Sequence, residues 1–195
     1  MKRLLDIFSS LLVLILLCPL WLVIALLIVC ESRGGVFYRQ VRVGKDNKDF
    51  YLYKFRTMLP DSDKKGLLTV GERDSRVTRV GYFLRKYKLD EFPQLINVLK
   101  GDMSIVGPRP EVRKYVDMYT PEQMRVLSVR PGLTDVASIQ YVHENELLAA
   151  SENPEQTYID EVMPAKLQLN LQYIDNQSFW GDIKLIFQTF AAILH

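Results

Sequence analysis

The sequence predicts an α/β fold, mostly helical with one short β-hairpin, in which a kinked N-terminal membrane helix precedes a single small, compact domain. Three observations predict it. Residues 7–30 carry no charge and hold Pro19 near their middle. Two β-branched and aromatic runs flank a turn-like Gly44-Lys45-Asp46-Asn47. Apolar residues then recur at helical spacing, most clearly at the C-terminus. With 195 residues, 48% hydrophobic and 25% charged, the chain can build a core and is too apolar for a disordered segment. Its 25 Lys and Arg against 23 Asp and Glu leave no global basic excess, so nucleic acid is not an expected partner. Cys18 and Cys30, both inside the apolar run, exclude a disulfide framework and suggest no zinc site.

The apolar run sets the first unit, residues 1–32. Its length, about two dozen residues, would cross a bilayer as a straight helix. A cleaved signal peptide would have a shorter core and a small-x-small site, which Ile28-Val29-Cys30 does not offer. Proline in a helix interior removes a hydrogen bond and clashes with the carbonyl four residues back, so a break is predicted at Cys18-Pro19. Lys2 and Arg3 precede the run, and Arg33, Arg39, Arg42, Lys45 and Lys48 follow it. Basic residues favour the cytoplasmic face, and a helix that enters and leaves the same leaflet puts both ends there.

The remaining residues, 33–195, form the second unit. Residues 36–38 and 49–53 are predicted to pair as a hairpin. Residues 74–87 are predicted as a helix with Val77, Val80, Phe83 and Leu84 on one side. Asp90 is a candidate N-cap for a helix over 94–99, with Pro93 in its first turn and Gly101 at its end. Gly107-Pro108-Arg109-Pro110 predicts a stiff turn, since each proline fixes its own φ and restrains the residue before it. Residues 121–127 suggest another short helix, and Arg130-Pro131-Gly132-Leu133 a turn. Phe179, Ile183, Ile186, Phe187, Phe190 and Ile193 make one apolar helix face, with Trp180 beside it. That face suits a membrane interface, the domain core or a second copy of the chain, and the residues leave these open.

The chain has no Walker A loop, GxGxxG, HExxH, GxSxG or CxxC, and His143 and His195 do not make a catalytic pair. Carboxylates, arginines and prolines concentrate instead between Arg73 and Glu111. At a helix N-terminus, free N–H groups and the dipole would keep Asp90 ionised and attract phosphate. Asp90 as a plain cap and Glu91 as a first-turn charge is the competing reading. Arg73, Arg76, Arg79, Arg85, Lys86 and Lys88 upstream, and Arg109 between two prolines, weigh toward a phosphate site, because guanidinium groups grip phosphate in a bidentate way.

The wording of the chain resembles the bacterial sugar transferase family, the small monotopic phosphoglycosyl transferases. The matching stretches are Lys2-Arg3-Leu4-Leu5-Asp6, Lys54-Phe55-Arg56-Thr57-Met58, Leu84-Arg85 and Leu89-Asp90-Glu91-Phe92-Pro93-Gln94-Leu95. They continue through Asn97-Val98-Leu99-Lys100-Gly101-Asp102-Met103-Ser104, Val106-Gly107-Pro108-Arg109-Pro110 and Arg130-Pro131-Gly132-Leu133-Thr134. Together they run in order over nearly the whole chain.

The resemblance implies transfer of a sugar 1-phosphate from a UDP-sugar to undecaprenyl phosphate, with release of UMP and a requirement for Mg²⁺. It implies Asp90 as nucleophile through an aspartyl-phosphosugar, and Asp90 with Glu91 at the metal. Arg85, Arg109, Lys54 and Arg56 are expected to hold substrate phosphate, with Asp6 in support near the membrane boundary. It further implies a re-entrant helix at the cytoplasmic face of the bacterial inner membrane, supply of downstream glycosyltransferases, and a minimal catalytic unit without the multi-span region of larger relatives. Two departures stand out. Cys18 replaces the serine common before the breaking proline, and residues 131–138 read Pro-Gly-Leu-Thr-Asp-Val-Ala-Ser where many members have Pro-Gly-Ile-Thr-Gly. A catalytically silent membrane scaffold and a phosphohydrolase using water as acceptor are the alternatives.

Overall fold

The computed structural model describes residues 1–60, 62 and 74–194; Arg73, His195 and the side chain of Ile193 lie outside what it describes. The chain opens with two helices, α1 (Lys2–Leu16) and α2 (Cys18–Glu31), bent by 63° to each other. Leu17 sits between them with φ −92° and ψ 3°. Pro19 falls in the first turn of α2, where its missing N–H costs nothing because the first helical N–H groups have no internal partner. The bend is thus where the proline predicts it.

These two helices are inside-out. Asp6 and Ser10 are the buried residues of α1, whereas Leu4, Phe8, Leu11, Leu12, Ile15 and Leu16 are exposed. On α2, Ile24 and Ile28 pack inward while Leu22, Val23, Leu26, Leu27 and Val29 face out. No single described helix is long and apolar enough to cross a membrane, but the bent pair together meets that test.

The two basic residues before the apolar run are tied into the protein, whereas Arg33, Arg39, Lys45 and Lys48 after it are exposed. Lys2 Nζ donates to the Val106 carbonyl at 2.8 Å and to Asp182 at 2.5 Å. Arg3 donates to the carbonyls of Val98 at 2.6 Å and Leu99 at 3.1 Å. Asp6 accepts from Ser104 Oγ at 2.9 Å and from the Ile105 N–H at 3.1 Å. The start of α1 is therefore fastened to the domain by charged hydrogen bonds, and Asp6 serves as a tether.

Strands β1 (Phe37–Val43) and β2 (Asp49–Phe55) pair antiparallel, from Phe37 opposite Phe55 to Val43 opposite Asp49. This is the predicted hairpin with a longer first strand. The next helix, α3 (Arg79–Lys86), is shorter than predicted. Residues 74–78 are loop, because the Arg76 N–H bonds to the Asp74 carboxylate, Val77 bridges Met58, and Thr78 caps α3 by accepting from the Gly81 N–H. Within α3, Leu84 is buried but Phe83 is exposed, so the predicted apolar side is split.

A 3-10 turn, Leu89–Glu91, leads through Pro93 into α4 (Gln94–Lys100), which ends at Gly101 with φ +93°. Then come β3 (Ser104–Val106), α5 (Arg113–Val116), a 3-10 stretch Gln123–Ser128 where a helix was predicted, and β4 (Gly132–Thr134). The turn predicted at Arg130-Pro131-Gly132-Leu133 instead runs into β4, which pairs parallel with β3 through Ser104 opposite Gly132 and Val106 opposite Thr134. Helices α6 (Val136–Gln140), α7 (Glu144–Ala149), α8 (Pro154–Thr157), α9 (Met163–Asp175) and α10 (Phe179–Leu194) complete the fold; a π-helical turn, Tyr158–Val162, joins α8 to α9. On α10, Trp180, Phe187 and Phe190 are exposed, so those residues do not cover the core.

Two apolar clusters position the site. Ile24 and Ile28 of α2 meet Phe55 and Leu84, with Trp21, Val36, Val80 and Leu89 around them. Leu52, Val98 and Met103 join β2 to α4. Each such side chain contributes roughly 1.5–3 kcal/mol by leaving water. A third cluster, including Val112, Tyr115, Tyr158 and Leu167, holds the C-terminal helices together.

Candidate active site

The site centres on the 3-10 turn Leu89–Glu91. Lys88, in the left-handed region at φ 55°, ends the course of α3 and turns the chain so that both Asp90 and Glu91 point inward. Asp90 does not cap α4. Pro93 occupies the N-cap position, and no side chain caps that end, because Asp90 is taken up in the 3-10 turn ahead of the helix.

Glu91 is fully engaged. Arg109 reaches it with both terminal nitrogens, Nη1 to Oε2 at 3.2 Å and Nη2 to Oε1, while Lys54 Nζ lies 3.1 Å from Oε1. Burial pushes its carboxyl up, but the Arg109 and Lys54 charges outweigh burial and hold it well below the usual glutamate value. Burial lowers the Lys54 ammonium, opposed by Glu91. The Glu91 carboxylate raises Arg109 far above its ordinary range.

Asp90 is the opposite case. It is 6% exposed and accepts no hydrogen bond from a described residue. Burial raises its carboxyl above the ordinary aspartate value, the Lys54 charge opposes, and the Glu91 charge adds to the rise. Arg85, whose Nε donates to Thr57 Oγ1 at 3.0 Å, also favours the ionised form. The arrangement is one locked carboxylate beside one that accepts no hydrogen bond from a described residue, with the Lys54, Arg85 and Lys88 charges favouring its ionised form. Such a group is available as a nucleophile or as an oxygen ligand.

The residues predicted for the site divide. Asp90, Glu91, Lys54 and Arg109 come together, and Arg85 is close enough to bias Asp90. Arg56 does not join them. Its guanidinium donates to the carbonyls of Arg33 at 2.5 Å, Ser32 at 2.8 Å and Ile28 at 3.4 Å, at the end of α2. Of the remaining basic run, Arg76 pairs with Asp74, and Arg79, Lys86 and Lys88 are exposed. Cys18 and Cys30 are free and exposed.

Asp135 was missed. It is 1% exposed; one oxygen caps α6 from the Ser138 N–H at 2.7 Å, and the other accepts the Arg109 N–H at 3.1 Å. The adjoining Gly107 N–H donates to the Thr134 carbonyl at 3.0 Å, and the Gly132 N–H to Pro108 at 2.9 Å. The Pro-Arg-Pro turn is therefore rigid because of both its prolines and this second strand. The signal available in the sequence was the departure at 131–138, which contains Asp135.

A divalent metal has limited protein ligation here. Among the described residues no group of three or more His, Cys, Asp or Glu could hold one. Glu91 accepts from Arg109 and Lys54 whereas Asp90 accepts from no described residue, so of the two carboxylates expected at the metal Asp90 is the more open to an ion. That suits Mg²⁺, which keeps several waters and commonly takes one or two carboxylates together with substrate phosphates.

Comparison with known proteins places these residues in context. The family model described as bacterial sugar transferase matches residues 1–195. A UDP-N-acetylgalactosamine-undecaprenyl-phosphate N-acetylgalactosaminephosphotransferase of Aeromonas hydrophila is 42% identical over 196 residues, covering 99% of this chain and 43% of that protein. A UDP-glucose:undecaprenyl-phosphate glucose-1-phosphate transferase of Caulobacter vibrioides is 37% identical, covering 99% of this chain and 69% of that protein. The enzyme of the same name from Escherichia coli K12 is 38% identical, covering 97% and 39%. This chain thus spans less than half the length of two of these relatives.

Proposed function

The chain belongs to the bacterial sugar transferase family, and on that premise we propose that it is a phosphoglycosyl transferase that moves a sugar 1-phosphate from a UDP-sugar to undecaprenyl phosphate, as a first membrane step of surface glycan or glycoconjugate synthesis. The observation that carries this reading is Asp90, buried and without a hydrogen bond from any described residue, beside Glu91 paired with Arg109 and Lys54. An Asp90 oxygen attacks the sugar-bearing phosphorus, the bond from that phosphorus to the bridging oxygen breaks, and UMP leaves with the bridging oxygen. The aspartyl-phosphosugar is then attacked by a phosphate oxygen of undecaprenyl phosphate, which forms the diphosphate and returns the Asp90 carboxylate. Splitting one phosphoryl transfer into two steps is what a covalent carboxylate achieves.

Arg109, aimed by Glu91 and by the Asp135 contact to its backbone, binds phosphate oxygens together with Lys54, and Arg85 adds charge from the α3 side. A bound Mg²⁺ would be held by Asp90 and would supply neutralisation of the charge that develops as UMP leaves. Glu91 acts through Arg109 and Lys54.

The inside-out α1 and α2 support a membrane-embedded wedge. An apolar surface of that extent on a lone soluble domain would be an aggregation hazard, and the 63° bend between α1 and α2 supports a pair that enters and leaves one leaflet rather than a straight span. The wedge sits in the cytoplasmic leaflet of the bacterial inner membrane, where a soluble UDP-sugar and a lipid phosphate can meet. Exposed Trp180, Phe187 and Phe190 of α10 rest at the same interface.

The test is UMP release by the full chain in phospholipid nanodiscs with undecaprenyl phosphate, Mg²⁺ and a panel including UDP-N-acetylgalactosamine and UDP-glucose, the donors named for the relatives. Release with one donor, a lipid-linked product, and loss on adding EDTA are expected. Free sugar phosphate without lipid product would identify a hydrolase. Silence across the panel by folded, membrane-bound protein would favour a scaffold.

A further inference from the structure

We propose that Glu31 is a positioning residue for the membrane-held acceptor: it couples the end of α2 to the start of α3 and so sets the height of Arg85 and Asp90 above the lipid. The inference rests on the function proposed above. Glu31 is the last residue of α2. One of its oxygens accepts the Arg79 N–H at 2.7 Å, and the other accepts the Val80 N–H at 3.0 Å. Both donors belong to the first turn of α3, whose N–H groups have no partner within the helix, and the positive end of that helix favours the carboxylate. Thr78 satisfies the next N–H, of Gly81, at 2.9 Å.

The same junction is closed on its other sides. Arg56 gathers the carbonyls of Ile28, Ser32 and Arg33 at the negative end of α2. Its neighbour Thr57 accepts the Thr78 N–H at 3.0 Å through its carbonyl and Arg85 Nε at 3.0 Å through its hydroxyl. Gly81 packs so closely on Thr57 that an added Cβ would lie 2.1 Å from the Thr57 carbonyl oxygen. The wedge helix, the Arg56-Thr57 link and α3 therefore form one closed polar ring. From α3 the path to the nucleophile is short: Arg85 lies in its last turn, and Lys88 then turns directly into Leu89–Glu91.

The Glu31 side chain lies at the exposed edge of this ring. It can be altered without opening the apolar cluster beneath. Glutamine keeps its shape, but only one of its two terminal atoms can accept an N–H, so Glu31→Gln loses one of the two bonds and the charge on the helix end. The acceptor is fixed in depth by the bilayer, whereas the donor arrives from solution. A loosened junction thus impairs acceptor capture first.

The test uses the full chain in nanodiscs. Glu31→Gln is expected to raise KM for undecaprenyl phosphate about five-fold, with KM for the UDP-sugar and the thermal midpoint nearly unchanged. Unchanged KM for both substrates, or an equal rise in both with a lowered midpoint, would overturn it. A second readout needs no turnover. Spin labels at Cys30 and at Lys86→Cys, in a Cys18→Ser background in phosphatidylethanolamine–phosphatidylglycerol vesicles, report the distance between α2 and α3. A narrow distribution that broadens with Glu31→Gln supports the coupling, and one that stays the same refutes it. If no donor turns over even in the parent protein, the proposed function fails, and the distance measurement still decides the junction.

Discussion

Asp90→Asn is expected to lower UMP release by about three to four orders of magnitude while the protein remains folded and membrane-bound. The amide has the shape of the carboxylate but lacks the anionic oxygen that attacks phosphorus. Asp90 accepts no hydrogen bond from a described residue, so none to those residues is lost with it. Burial raises its pKa against the opposing Lys54 charge, so the ionised form is disfavoured by folding. A raised carboxylate contributes its stability at pH below its unfolded value and loses that stability as pH rises through the folded value. At neutral pH the charge is therefore a cost, and the Asn variant is expected to melt at or slightly above the parent temperature. For the parent enzyme the same shift places the acid limb of turnover above the ordinary aspartate range, since the nucleophile is protonated as pH falls through the raised value. A rate profile that holds level down to the usual aspartate range, or an Asn variant with ordinary turnover, would remove Asp90 from the chemistry.

Glu91→Gln is expected to cost about 100-fold in turnover and about 2 kcal/mol in stability. Breaking a buried ion pair by removing one partner typically costs ~3–5 kcal/mol. The lower figure reflects Arg109, whose side chain stays 35% exposed and so is partly solvated when its partner is lost. Glu91 is held well below the ordinary glutamate value because Arg109 and Lys54 outweigh burial. A depressed carboxylate contributes stability above its unfolded value and loses it as pH falls through the folded one. The stability gap between parent and variant is thus widest near neutrality and closes below the usual glutamate range, as denaturation at several pH values would report. The variant also separates positioning from metal binding. Glu91 raises the Asp90 value, so without it the acid limb moves to lower pH. A limb that stays in place, with a weakened dependence on Mg²⁺ concentration, would instead make Glu91 a ligand.

What could be read along the chain was set by near neighbours. Pro19 cannot continue a helix from α1, so the break falls at Leu17 whatever the rest of the chain does. Alternating residues around Gly44-Lys45-Asp46-Asn47 define the hairpin, and Gly101 supplies the left-handed stop of α4. The clustering of Asp90, Glu91, Arg85, Lys54 and Arg109 was also legible, through the run of motifs that resembles one family.

Other features depended on where long side chains end after distant segments meet. Arg56 lies two residues from Lys54 in sequence, and nothing local distinguishes their roles. Lys54 lies within β2 and turns toward Glu91, whereas Arg56 follows the end of that strand at Phe55 and turns to the carbonyls of α2. Asp90 had the sequence of a cap but sits in a 3-10 turn, because Lys88 turns the chain at φ 55° before α4 begins. Asp135 holds the Arg109 backbone, Glu31 holds α3, and Gly132–Thr134 becomes a strand, each through a partner at least 26 residues away. The sequence by itself determined the bend, the hairpin, the helix stop and the set of charged residues, since these follow from backbone sterics and nearby turn chemistry. Which carboxylate is locked, and which has no hydrogen bond from a described residue, depended on the tertiary structure, because a buried charge takes its pKa from the cations and solvent that the closed fold places around it.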